Sequence, residues 1–116
     1  MTGGARRIVW QAVLRVKDER AASKLLSRIG DRLELPISVD TVEPHRHDTS
    51  LYRCFFSTPV PGMPDEDGAD AILDSIGRLA PRWDIGGSVR GKTLNGLATD
   101  GISVAGVTWV NFDVSI

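Results

Sequence analysis

The sequence predicts an α+β fold: a ferredoxin-like (split βαβ) antiparallel sheet with two helices on one face and an extra C-terminal β-hairpin. Segments whose apolar residues fall at every second position alternate with two segments whose apolar residues recur at helical spacing, in the order β-α-β-β-α-β. The second and third strands are joined by a short polar stretch, as an antiparallel hairpin requires. No repeat, low-complexity tract or linker interrupts the chain, so residues 1–116 read as one domain, long enough to build a core without staples. With both helices on one side, the other sheet face is left open.

The first strand is "RIVWQAVLRV" (7–16). It sets Ile8, Trp10, Ala12, Leu14 and Val16 on one face and Val9, Gln11, Val13 and Arg15 on the other. The mixed second face suits a side that is solvated or reserved for a partner. "DERAASKLLSRIGDRL" (18–33) follows, with Ala21, Ala22, Leu25, Leu26, Ile29 and Leu33 at amphipathic-helix spacing. Asp18 is its expected N-cap, because a carboxylate there accepts from unpaired first-turn N–H groups. Gly30 and Pro36 are expected to punctuate its end.

"ISVDTVE" (37–43) and "LYRCFFSTPV" (51–60) are the second and third strands. The latter puts Tyr52, Cys54, Phe56 and Thr58 on one face and Leu51, Arg53 and Phe55 on the other. A second helix is expected within "DEDGADAILDSIGRLAP" (65–81), after the loop "PGMPDEDG". Its stripe is Ala69, Ile72, Leu73, Ile76, Leu79 and Ala80, and Pro81 stops it. "RWDIGGSVR" reads as a weak strand, and Asn95-Gly96 and Asp100-Gly101 as turns. The last strand lies in "ISVAGVTWVNFDVSI", with Val104, Gly106, Thr108, Val110, Phe112 and Val114 on one face and Gly106 a candidate bulge.

Composition excludes more functions than it suggests. Net charge is −1, with 41% hydrophobic and 25% charged residues, the profile of a folded domain rather than a disordered chain. No apolar run approaches the roughly 20 residues of a membrane span, and "MTGGARRIVW" has no apolar leader segment. A single cysteine cannot form an internal disulfide, which suits a reducing compartment; the expected location is cytoplasmic. Charge is segregated, however: +5 over residues 1–32, −7 over 33–74 and +1 over 75–116.

No catalytic motif is present. "GGSVRGKT" lacks the spacing of a phosphate-binding loop, and there is no G-x-S-x-G, H-E-x-x-H or C-x-x-C. His45 and His47 stand at i, i+2 beside Arg46, which could supply half a metal site or an acid/base pair. No second Cys/His cluster completes it, and a polar hairpin tip accounts for the same residues. Cys54 alternates with aromatics and is expected to be a buried thiol, not a nucleophile. The expectation is therefore no catalytic residue, no metal and no cofactor.

Surfaces offer more. Arg20, Lys24, Arg28 and Arg32 recur every four residues, a basic stripe that is either a solvated helix face or a site for an acidic partner. Nucleic acid is disfavoured, because net charge is balanced and no surface aromatics interleave the stripe. Asp65, Glu66, Asp67, Asp70 and Asp74 cluster near the start of the second helix; its dipole accounts for the first three or four, Asp74 lies past the first turn, and a basic protein surface could dock on the set. Trp109, beside Asn111 and Asp113, falls opposite the apolar face of its strand and is a candidate interface anchor; core burial under the added hairpin is the commoner fate. If register gathers Val13, Arg15, Arg53, Phe55 and Trp109 on the open face, they form an amphipathic patch for self-association or partner docking.

The expected function is thus a small non-catalytic protein-binding domain, in one version an inhibitor or immunity-type protein that blocks a toxin or enzyme. The alternative is a dimeric α/β-barrel enzyme or ligand-sensing domain, its pocket between paired sheets lined by His45, His47, Tyr52 or Arg53.

Overall fold

A computed structural model describes residues 7–61, 68–88 and 93–115. The elements run β1 (Arg7–Arg15), α1 (Glu19–Leu33), β2 (Ser38–Pro44), β3 (Leu51–Pro59), α2 (Gly68–Leu79), β4 (Asp84–Ser88), β5 (Thr93–Ala98) and β6 (Val107–Ser115). The six strands form one sheet in the order β2-β3-β1-β6-β5-β4, and every neighbouring pair is antiparallel. The fold is α+β, with two helices and a six-stranded antiparallel sheet among the described residues.

β1 sits inside the sheet between β3 and β6, which explains its even-numbered face: Ile8, Trp10, Ala12 and Leu14 are all fully buried. One cluster joins these to Ala22, Leu25, Leu26, Ile29 and Leu33 of α1, to Ile72, Ile76 and Leu79 of α2, and to Cys54, Phe56, Val110, Phe112 and Val114. Both helices therefore seal the same side of the sheet. At its centre Trp10 stacks on Phe56 with ring centroids 5.8 Å apart, and Phe112 lies 5.3 Å from Trp10 and 5.5 Å from Trp83.

The helix ends show which local signals governed. Asp18 caps α1 as expected, its carboxylate accepting from Ala21 N–H at 2.8 Å. Gly30 does not end the helix. It is buried within it, in a gap so narrow that a Cβ would lie 3.1 Å from the side chain of Ile37. Termination falls to Glu34, a left-handed residue at φ 59°, with Leu35 N–H donating to Gly30 O and Glu34 N–H to Asp31 O. This is the two-bond closure that usually recruits glycine, and a glutamate there costs about 1 kcal/mol.

Compensation comes from α2. Ser75 Oγ donates to Leu33 O at 2.7 Å, Arg78 donates to Leu33 O and Arg32 O, and Arg78 also pairs with Glu34 at 3.1 Å. A cation at a helix C-terminus meets both the open carbonyls and the negative end of the dipole.

Several sequence expectations are corrected. In α2, Leu73 is 41% exposed and Ser75 takes its place in the buried stripe; Leu73 lies about 100° around the helix from Ile72 and falls off the contact edge. Asn95-Gly96 is no turn: β5 runs straight through it, pairing Gly96 with Phe112 and Ile85. The added hairpin is not C-terminal either. β4 and β5 precede the last strand, and β6 returns to pair with β1, where its apolar face is covered; the glycine-rich β4 is left at the edge with all five residues exposed. β6 begins only at Val107. Gly106, at φ 98°, precedes a register shift in which Val13 faces Trp109 but Leu14 faces Val107, so the bulge falls at Thr108, whose hydroxyl donates to Val13 O. Asp65, Glu66, Asp67 and the side chain of Ala69 lie outside the described residues.

Candidate functional site

The face of the sheet away from the helices is the candidate site, and strand register builds it. Val13 pairs with Arg53 on one side and Trp109 on the other, and Glu43 pairs with Arg53. The next row runs Thr41, Phe55, Gln11, Asn111, Leu97, Asp84, and the one after it Ser38, Ser57, Val9, Asp113, Asn95, Gly86. Side chains in one row share a face because pairing preserves the pleat. The five residues expected to converge here, Val13, Arg15, Arg53, Phe55 and Trp109, do so.

The centre of this face is apolar. Val13 is only 4% exposed although no helix covers it, which places it beneath its row neighbours Trp109 and Arg53. Val9 and Leu97 are 56% and 40% exposed. Arg53 is held at Glu43 Oε1, 2.6 Å from its terminal nitrogen, and its guanidinium lies 5.5 Å from the centroid of the Phe55 ring. Both members of that ion pair are half-exposed, so it adds at most about 1 kcal/mol. Its effect is to lay a planar cation against an aromatic face, leaving an apolar surface with directed donors.

Around this centre the charges separate. Arg7 and Arg15 lie on β1, while Asp113 and Asp84 lie on β6 and β4. The acidic half holds a shallow depression of about 390 Å3 whose lining includes Asp84, Gly86, Asn95, Leu97, Asn111 and Asp113. Sequence reading missed Leu97 and Asn95 because it took Asn95-Gly96 for a turn. Val9, Gln11 and Asn111 were readable from alternation alone.

The other sequence candidates are dispersed. Arg20, Lys24, Arg28 and Arg32 are all exposed along α1, and Asp70 and Asp74 along α2. None of the six joins an ion pair among the described residues. Arg28 and Arg32 border an open groove with Ser103, Val104 and Ala105, but Asp31 sits in the same lining.

His45 and His47 occupy the polar β2–β3 turn, rings 6.1 Å apart, with His45 Nδ1 accepting from His47 N–H. Asp48 shapes the turn by accepting from both Ser50 N–H and Ser50 Oγ, and those bonds hold its carboxyl below the ordinary range. No group of three potential metal ligands occurs among the described residues. Tyr52 packs toward the core and Arg53 toward the open face, so the polar set of the barrel alternative does not converge within one chain.

Cys54 is fully buried, and burial pushes its thiol up to about 11 from 9.0. The neutral thiol is the form the fold favours. As pH rises past 9 the unfolded chain loses this proton first, so the thiol's contribution to stability is intact below pH 9 and declines between 9 and 11. Disulfide-exchange reagents at pH 8 should label Cys54 at least about 100-fold more slowly in the native protein than in urea. Equal rates would place the thiol at the surface.

No family model, curated protein or solved structure matches the chain. No helix among the described residues is long and apolar enough to cross a membrane.

Proposed function

We propose that this chain is a non-catalytic protein-binding domain of the split-βαβ, ferredoxin-like type. In this reading β2-β3-β1-β6 is the core sheet, β4–β5 is a hairpin inserted before its last strand, and the open sheet face is the docking surface. The observation that carries it is the apolar row of Val13 and Trp109 beside Phe55, which no helix covers, on a sheet whose opposite side is already sealed by two helices. Aromatic and arginine side chains over a desolvated centre are the composition of binding hot spots. An inhibitor or immunity-type role against a toxin or enzyme is one form this takes. The buried, un-ionised thiol of Cys54 is in keeping with residence in the cytoplasm.

The charged helix faces compete with the sheet as the docking surface, and one comparison separates them. Tagged chain crosslinked in its host cell should lose its captured partner on Trp109→Glu. It should retain the partner when Asp70 and Asp74 are changed to lysine, or Lys24 and Arg28 to glutamate. Partner loss with the helix variants and retention with Trp109→Glu would transfer the function to the helices.

A further inference from the structure

We infer that the occupant of the open face is a second copy of this chain, packed face to face about a two-fold axis parallel to the strands. This rests on the docking face proposed above and goes on to name its partner.

Extent comes first. Six strands about 4.8 Å apart, five to nine residues long and rising about 3.4 Å per residue, span a face of roughly 600–700 Å2. That is close to the roughly 800 Å2 each partner contributes to a standard interface.

Complementarity selects the axis. A two-fold lying along the strands, between β1 and β6, sets β1 against β6 of the second copy, β3 against its β5, and β2 against its β4. Row by row, the position of Val13, covered by its own Trp109 and Arg53, then lies opposite Trp109 of the second copy, Gln11 meets Asn111, and Phe55 meets Leu97. In the central rows Phe55 faces Leu97 and amide faces amide, while toward one end Val9 faces Asp113. Phe55, with Arg53 against its ring, enters the depression around Leu97 and Asn95 on the acidic half of the other copy. The half that carries Arg7 and Arg15 covers the half that carries Asp84 and Asp113, and the same holds in reverse. An axis across the strands would instead lay arginines over arginines, a costly arrangement in a desolvated contact. Strand directions in the two sheets stay aligned, the common geometry for face-to-face packing.

Sedimentation velocity on the full chain, diluted through the micromolar range, tests the inference. The wild type should be dimeric. Phe55→Glu and Leu97→Lys should each raise the dissociation constant by about 100-fold, the scale of losing a central anchor. An equimolar mixture of the two should regain a dimer within about tenfold of the wild type, because only the mixed pair restores one apolar contact and turns the other into Glu–Lys. Should Phe55→Glu fail to fold, Val9 serves, since it is 56% exposed and lies opposite Asp113 of the second copy. There, Val9→Arg should tighten the dimer about tenfold and Val9→Glu loosen it by a similar factor. A monomeric wild type, a dimer indifferent to both single changes, or variants that fail to rescue each other would overturn the inference. A monomer that still loses a different captured protein on Trp109→Glu would leave the docking face intact and remove only the second copy.

Discussion

Replacing Trp10 with alanine is expected to cost roughly 4–6 kcal/mol, most of the folding stability of a domain this size. Two terms add. Truncating a fully buried indole removes its transfer energy and leaves a cavity that Phe56, Phe112 and Trp83 cannot all close, since each already packs against the ring. Thr58 then loses its partner: Trp10 Nε1 donates to Thr58 Oγ1 at 3.0 Å, both residues are buried, and a buried hydroxyl left alone is penalised by about 1–3 kcal/mol. Trp10→Phe keeps an aromatic disc between the same neighbours and loses mainly the hydrogen bond, so it should cost about half as much. Urea titration of the three proteins, with near-ultraviolet circular dichroism, measures this. A loss below about 2 kcal/mol for Trp10→Ala would show that the core is not organised around this ring.

How far the sequence disclosed the fold follows the range of each signal. Strand alternation in β1 and β3 and the α1 stripe arise from burial of one continuous face, so Trp10, Phe56, Leu26 and Ile29 are all legible. Asp18 is legible because capping involves only residues three apart. Gly30 and Glu34 mislead for the opposite reason. The end of α1 is set by Ser75 and Arg78 from more than 40 residues away, and the space at Gly30 is taken by Ile37. The open face is half legible: alternation assigns Val13, Phe55 and Trp109 to it, but only cross-strand register shows that Glu43 clamps Arg53 and that Asp113 and Asp84 balance Arg7 and Arg15. The bulge at Thr108 is visible only in the register: it lets Val107 pack on the core although Trp109, two residues on, faces outward with Asn111 and Asp113, a parity that unbroken alternation does not allow.

Gly96 brings these threads to one position, and Gly96→Ala should destabilise the protein by about 1–2 kcal/mol. Turn chemistry is not the cause, since Gly96 is absent from the residues with positive φ. The added Cβ would lie 2.5 Å from Cε1 and 3.0 Å from Cζ of Phe112, and 3.0 Å from Cδ1 of Ile85. Ile85 is 42% exposed and can rotate away. Phe112 cannot, because Trp10 and Trp83 hold it at 5.3 and 5.5 Å. The strand must therefore move, and β5 carries Asn95 and Leu97 on the open face with it. Shortening the ring in Phe112→Leu should relieve the clash, so the double variant should lose about 1 kcal/mol less than the sum of the two singles. A turn requirement at Asn95-Gly96 would instead give additive losses. Gly77→Ala serves as the counterpart: it is exposed on α2 with nothing within 4 Å of the new Cβ, and it should stabilise by about 0.5–1 kcal/mol. If Gly96→Ala behaves like Gly77→Ala, then β5 does not press against Phe112, and the register that brings Leu97 to the docking face is wrong.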